Sequence, residues 1–159
     1  MKFMKPLKLP PRIKILEALG CIADGRVTIL NENYAIVRSS EGIRNYNVYI
    51  DLDNNIVYSD DNGTKIKEYI GYPIIALLMI KGVVPFSEEI AKALSKIPWR
   101  ELNEKYKNYY IVEKIVKNIA LKRGVSIDKI DRFIEMVINA LRRLSLYYDE
   151  KIKTISNNN

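Results

Sequence analysis

The side chains that most often carry protein chemistry are scarce in this sequence, which has no histidine and one cysteine, Cys21. Cys/His zinc sites, Ser-His-Asp and Cys-His triads and an internal disulfide each need residues that the chain lacks. Glycine-rich phosphate loops are also missing from the sequence. Cys21 lies beside the apolar face of a predicted helix, and we expect it to be a buried structural thiol. The sequence therefore predicts a non-catalytic protein without a metal or other cofactor.

One acidic segment has the beginning of a calcium-binding pattern. Asp51-Leu52-Asp53-Asn54-Asn55 places oxygen-bearing side chains at alternate positions. A calcium loop needs glycine at its sixth position and glutamate at its twelfth, where this chain has Ile56 and Asn62. We interpret the segment as a hairpin turn between two strands.

The same carboxylates leave a metal-dependent nuclease as a third functional alternative. Asp51 and Asp53 would share one strand face, with Lys65 or Lys67 downstream to assist an attacking water. However, no Glu-x-Lys pair follows on a neighbouring strand, as such a site would need.

Basic residues are the main candidates for binding. The chain has 26 Lys and Arg against 19 Asp and Glu, for a formal charge of +7. Residues 1–14 contribute +5, residues 15–62 contribute −5 and residues 63–159 contribute +7. Lys and Arg contact phosphate without any motif, and tyrosine rings stack on bases. The candidate nucleic-acid-binding residues are Lys2, Lys5, Lys8, Arg12, Lys14, Lys114, Lys117, Lys122, Arg123, Arg142, Arg143, Tyr109 and Tyr110, with Arg132 and Tyr106 near them in the sequence.

Two binding functions follow from these patterns. The first is an adaptor or accessory protein that binds DNA or RNA backbone with low specificity through the N-terminal arm and the late basic helices. The second is a protein-interaction or scaffold subunit without nucleic-acid contact. It rests on the apolar stripe of the last predicted helix, from Ile127 to Leu146, which favours a homodimer or a hetero-complex. Only the first predicts an affinity that falls steeply with salt.

The hydrophobic pattern predicts one α+β domain over residues 12–150. An amphipathic helix over Arg12 to Ala23 is followed by period-two segments between Gly25 and Ser59, which predict a small antiparallel meander of four strands. Residues 72–148 have a helical pattern and predict a bundle of about five helices. Within it, Pro73 to Ile80 is apolar on all sides, so we expect this helix to lie between the sheet and the other helices.

The two ends are expected to stand apart from this domain. Residues 1–11 predict a basic, proline-containing arm, and residues 151–159 a frayed tail. The arm lacks the apolar run of a signal peptide, and the longest apolar stretch, Tyr72 to Ile80, is about half of the roughly 20 residues that cross a bilayer. We therefore expect a cytoplasmic protein with no membrane contact. Abundant Ile and Lys, 11 tyrosines and no glutamine are typical of a thermophile, and we expect an archaeal source.

Residues Tyr46 to Lys81 resemble the ββα layout of a SWIM zinc-binding element. Two predicted strands are followed by Asp60 to Gly63 and by an apolar helix that begins Gly71-Tyr72-Pro73-Ile74-Ile75-Ala76-Leu77-Leu78. SWIM elements have a C-x-C pair after the second strand and a C-x-H pair at the start of such a helix. Here those positions hold Tyr58 and Asp60, then Gly71 and Pro73, so zinc binding is not implied. The resemblance implies a DNA- or protein-binding module.

Overall fold

A computed structural model of the chain describes residues 4–150 and residue 152. In that part of the chain, one six-stranded sheet lies against seven helices, so the prediction of an α+β fold is confirmed. The strands are β1 (Met4–Pro6), β2 (Val27–Ile29), β3 (Tyr34–Arg38), β4 (Asn45–Asp51), β5 (Ile56–Ser59) and β6 (Tyr147–Asp149). The helices are α1 (Arg12–Ala23), α2 (Asn62–Lys65), α3 (Tyr72–Ile80), α4 (Glu88–Ala93), α5 (Trp99–Tyr106), α6 (Tyr109–Lys122) and α7 (Ile127–Arg142).

The predicted meander forms the greater part of the sheet. Strands β2 to β5 pair in sequence order, and every pairing is antiparallel. Ala35, Val37, Val48 and Ile50 lie at alternate positions of β3 and β4 and are buried. This alternation is typical of an antiparallel sheet with one face on a core, and the prediction of four antiparallel strands is confirmed.

The N-terminal segment differs from the expected arm. β1 pairs with β6 in antiparallel register, Met4 opposite Asp149 and Pro6 opposite Tyr147. After β1, the Lys8 backbone amide donates to the carbonyl oxygen of Glu68. Backbone groups of a chain that lies against a folded surface must find partners, and the sheet supplies them here. The described residues 4–11 are therefore part of the domain.

The C-terminal segment differs from the helical prediction for residues up to 148. α7 ends at Arg142, and Tyr147–Asp149 forms β6, parallel to β5. Tyr148 stacks on Tyr58 with ring centroids 5.6 Å apart, and Ile152 packs against the same pair. Strand pairing on both sides of β6 and the packing of Tyr148 outweigh the helical pattern of the preceding residues. Lys2 and the remaining residues of the expected tail, 151 and 153–159, lie outside the described residues.

Two helices form the centre of the core. α3 is buried from Pro73 to Met79 and contacts α1, β4 and β5, which confirms its predicted central position. α1 is buried on more faces than an amphipathic helix would be, because it also contacts α4, α6 and α7. Cys21 of α1 is buried as predicted, and burial raises the pKa of its thiol to about 11. Among the described helices, none combines the length and hydropathy needed to cross a membrane.

α7 buries its apolar stripe inside the chain. Ile130, Ile134, Val137 and Leu141 are fully buried, and Phe133 is nearly so. The stripe packs against α1 and α6. The apolar stripe, on which the prediction of an interface through α7 rests, is thus explained by packing within one chain.

Candidate functional site

A cleft on the described surface lies where one end of the sheet meets several helices. Its volume is about 610 Å³, within the range of small-molecule sites. The β3–β4 connection (residues 39–44) and α5 form two of its sides. The others come from α1 and from the segment between β5 and α3.

The β3–β4 connection is held against α5 by its own side chains. Ser40 Oγ accepts a hydrogen bond of 3.1 Å from the backbone amide of Arg100, in the first turn of α5. Pro98 at the N-cap supplies no side-chain acceptor, so Ser40 satisfies a helix amide that would otherwise be unpaired. Glu41 and Arg100 form an ion pair of 3.1 Å between the same two elements. These contacts fix the width of the cleft.

A buried ion pair forms part of the cleft lining. Lys14 and Glu17 of α1 approach to 3.1 Å, and Asn103 of α5 donates a 2.8 Å hydrogen bond to Glu17 Oε1. Burial alone would lower the pKa of Lys14, but the Glu17 carboxylate raises it above its usual value. The Lys14 ammonium therefore stays charged, and it lies 4.9 Å from the ring centroid of Tyr109.

Arg26 is a buried cation of the cleft with few hydrogen-bond partners. Its side chain is 9% exposed, and it lies over the Tyr72 ring at 5.9 Å. Of its five N–H donors, one bonds to the carbonyl oxygen of Arg38, at 2.9 Å. Its nearest carboxylate, Asp24, is 3.9 Å from Nε, and Nε has no hydrogen-bond partner among the described residues. A buried guanidinium normally uses more of its donors.

Three basic residues at the cleft have no carboxylate partner. Among the described residues, Arg44, Lys67 and Lys107 form no ion pair, and all three side chains are exposed. The six cations of the lining face three carboxylates, so the cleft has a net charge of +3. The carboxylates are Glu17, paired with Lys14, and Glu41 and Glu104, both paired with Arg100. The remaining positive charge is available to an anion.

Each of these three cations stands two residues before a tyrosine that also lines the cleft. The tripeptides are Arg44-Asn45-Tyr46, Lys67-Glu68-Tyr69 and Lys107-Asn108-Tyr109. In the whole sequence, no other tyrosine has a basic residue two positions before it. The three tripeptides come from distant segments, and folding brings them to one cleft. Sequence inspection missed Arg26, Arg44, Arg100 and Lys107, and it named Lys67 only for the nuclease alternative. The repeated basic-x-Tyr spacing is the signal that could have assigned Arg44, Lys67 and Lys107 to one site.

One side of the cleft depends on two glycines. A Cβ on Gly63 would overlap the Tyr69 ring, and a Cβ on Gly71 would overlap the Asp61 carboxylate. Asp61 is buried and accepts hydrogen bonds from the Thr64 amide, at 3.1 Å, and from the Thr64 and Ser59 hydroxyls. The segment that presents Lys67 and Tyr69 is therefore tightly packed on β5 and α3.

The predicted nucleic-acid residues have different surroundings in the structure. Lys14 and Tyr109 line the cleft. Arg12 and Lys117 are held by the carboxylates of Glu113 and Asp131. The remaining described candidates divide into two groups. Lys5 pairs with Glu68 and Arg123 donates to the carbonyl oxygens of Ala93 and Ser95, whereas Lys8, Tyr110, Lys114, Lys122, Arg142 and Arg143 are exposed.

The acidic segment proposed for a nuclease is a turn. Asp51 accepts hydrogen bonds from the Asn54 amide and side chain, at 3.3 and 2.8 Å. Asn55 has φ of 57°, a left-handed conformation that asparagine tolerates in turns. In the described part of the chain, no group of three or more His, Cys, Asp or Glu side chains is placed to hold a metal ion.

Comparison with known proteins gives a family but no function. No curated protein and no solved structure matches the chain. A family model described as "Uncharacterised conserved protein UCP014422" matches residues 7–147, which include every described residue of the cleft. The chain therefore belongs to the family of uncharacterised conserved proteins UCP014422.

Proposed function

We propose that this protein is a non-catalytic nucleic-acid-binding protein that takes single-stranded DNA or RNA into the cleft. The proposal is carried by the convergence of three basic-x-Tyr tripeptides on one cleft of net charge +3. Single strands expose both phosphates and base faces, whereas a duplex stacks its bases inside. Cations beside aromatic rings are the combination that binds single strands without sequence preference.

Further tyrosine rings are exposed outside the cleft, where the chain turns from α5 into α6. Tyr109 is 43% exposed and lies at the cleft, and Tyr110 is 67% exposed beside it. Tyr106, at the end of α5, is also exposed. Lys107, between these rings, has φ of 48°, so α5 ends there and the chain turns into α6. A strand that leaves the cleft would thus meet further stacking surfaces.

The polar groups of the cleft favour binding over catalysis. Each lining carboxylate is held in an ion pair, so none is poised as a general base. Burial raises the pKa of the Tyr46 and Tyr72 phenols, which therefore remain protonated and can donate hydrogen bonds. Protonated phenols and unpaired cations together form a set of donors, which suits phosphate oxygens.

The test is fluorescence anisotropy with labelled single-stranded DNA of about 12 nucleotides, the matching RNA and the matching duplex. We expect single strands to bind more tightly than the duplex. Their affinity should fall steeply between about 50 and 200 mM salt, because each neutralised phosphate releases counterions. Replacing Arg44, Lys67 and Lys107 together by Gln should reduce the slope of log affinity against log salt by about two units, since single strands contribute about 0.7 per phosphate contact.

A matched variant removes the same charge from the late basic helices. Lys122, Arg142 and Arg143 are exposed and lie outside the cleft lining. The triple Gln variant at these positions should leave the salt slope unchanged. If this variant flattens the slope while the cleft variant does not, the contact surface is the late helices and not the cleft. Single-strand binding weaker than about 100 μM at low salt, the weak end of nonspecific affinities, would overturn the function.

A further inference from the structure

The cleft contains a recessed cation that an internal phosphate of a strand cannot easily reach. The Arg26 side chain is more than nine-tenths buried, yet it lines the cleft. An internal phosphodiester carries a sugar on each side, so it can contact exposed cations such as Arg44 but enters a recess poorly. A terminal phosphomonoester has one substituent and projects from the strand, so it can enter.

The surroundings of Arg26 include two tyrosines and one carboxylate, Asp24, which is shared with another donor. Tyr72 lies against the guanidinium, and Tyr46 meets Tyr72 edge-on with ring centroids 6.3 Å apart. Neither phenol hydroxyl donates a hydrogen bond to another described residue. Asp24, at 3.9 Å, already accepts a 2.8 Å hydrogen bond from the Lys96 amide through its other oxygen. Arg26 thus uses one of its donors on the Arg38 carbonyl oxygen and keeps unpaired N–H groups at the cleft, with two phenol rings beside it.

The charge of the site fits a dianion better than a single negative charge. A phosphomonoester carries about −1.5 to −2 at neutral pH, whereas an internal phosphodiester carries −1. Both Arg26 and the exposed Arg44 line the cleft; among the described residues, Arg44 forms no ion pair and Arg26 has one long contact of 3.9 Å, to Asp24. A guanidinium also binds two phosphate oxygens at once, which a lysine cannot do.

Resting on the proposed function, we propose that Arg26 forms a phosphate subsite that binds the terminal phosphomonoester of a single strand. The protein would then bind strand ends in preference to strand interiors. The exposed cations Arg44, Lys67 and Lys107 would contact the following internal phosphates. Specificity would come from the end of the strand and not from its base sequence.

The experiment compares oligonucleotides of one sequence with a 5′-phosphate, a 3′-phosphate or hydroxyls at both ends. We expect one of the phosphorylated forms to bind about tenfold more tightly than the hydroxyl form, equivalent to about 1.4 kcal/mol. Arg26→Gln should remove this preference while the hydroxyl form keeps its affinity. Arg26→Lys keeps the charge without the guanidinium fork and should keep part of the preference.

The control is Arg38→Gln, which removes the same charge at an exposed residue outside the cleft lining. It should leave the preference unchanged. Melting temperatures establish that each variant is folded. If Arg26→Gln does not fold, the phosphate subsite is tested with Arg26→Lys and with competition by inorganic phosphate. Phosphate should then compete with the phosphorylated strand more effectively than chloride at equal ionic strength.

The outcomes separate the two proposals. Equal binding of phosphorylated and hydroxyl strands would overturn the phosphate subsite and leave single-strand binding standing. Binding of a mononucleotide or inorganic phosphate in an Arg26-dependent manner, with no oligonucleotide bound, would overturn the nucleic-acid function and keep the subsite. A preference that persists in both Arg26 variants would place the terminal phosphate elsewhere.

Discussion

Lys114 and Lys117 stand three residues apart on α6 but have different surroundings. Lys117 Nζ lies 3.0 Å from Glu113 Oε2 and 2.8 Å from Asp131 Oδ1, so it joins α6 to α7. Arg12 of α1 contacts the same two carboxylates. Glu113 is buried, and a buried carboxylate is costly without its cations.

We expect Lys117→Met to lower the free energy of unfolding by about 1–3 kcal/mol, because it leaves Glu113 with one compensating cation fewer. Lys114→Met is the matched control on the same helix. Lys114 is exposed and contacts the Tyr110 ring at 4.8 Å, so the expected change is within about 0.5 kcal/mol. Urea unfolding measures both values. Equal destabilisation by the two variants would show that Lys117 has no special structural role.

One buried carboxyl group, that of Asp61, joins β5, α2 and α3 through hydrogen bonds. Asp61 follows β5 and caps α2 by accepting from the Thr64 amide. Thr64 Oγ1 donates to Asp61 and accepts from the backbone amide of Gly71, which is the N-cap of α3. The helix that occupies the centre of the core is thereby tied to the sheet.

Burial raises the pKa of the Asp61 carboxyl, and the hydrogen bonds from Ser59 and Thr64 oppose this only in part. Its folded pKa is therefore above the unfolded value of 3.8. The stability that protonated Asp61 contributes is fully present below that value and is lost as the pH rises through the folded pKa.

Asp61→Asn cannot titrate, so the stability of the natural protein relative to this variant should decline as the pH rises from about 3.5 to 7. Urea unfolding at several pH values measures the difference. Asp53→Asn, at an exposed turn position, should give a difference that does not depend on pH in this way. If the difference in unfolding free energy between the natural protein and Asp61→Asn stays constant over this pH range, the pKa of Asp61 is not raised in the folded state.

The sheet connects the N-terminal and C-terminal segments of the described chain. β1 pairs with β6, and the Leu7 amide donates to the carbonyl oxygen of Leu146. β6 lies between β1 and β5, so both of its edges are paired. Loss of β1 would expose an unpaired strand edge.

Deletion of residues 1–9 should therefore lower the free energy of unfolding by about 2–4 kcal/mol, through several lost backbone hydrogen bonds and the partly buried Leu7. The control is a Lys5→Ala, Lys8→Ala double variant, which removes two charges of the segment and keeps the strand. Its melting temperature should stay close to that of the natural protein. A deletion variant that melts at the natural temperature would refute the role of β1 in the fold.

Local patterns were sufficient for much of the architecture. The period-two alternation around Val48 and Ile50 predicted the meander, and the run from Pro73 to Met79 predicted a central helix, because in both cases burial repeats at the period of the element. The same reasoning failed at β1 and β6. Those strands are three residues each, and β1 and β6 pair with each other across almost the whole length of the chain, whereas the equally short β2 pairs with the strand that directly follows it.

The α+β class, the burial of Cys21 and the chain's net positive charge could be predicted from the sequence, since these depend on composition and on the spacing of apolar residues. Tertiary structure alone decided which charges are available to a ligand. Arg12 and Lys117 are cations in the sequence, but folding places them against carboxylates from other elements. Arg44, Lys67 and Lys107 come from segments of different net charge, and folding brings them to one cleft without such partners among the described residues. Ion pairing depends on distances between segments remote in sequence, which no local pattern records.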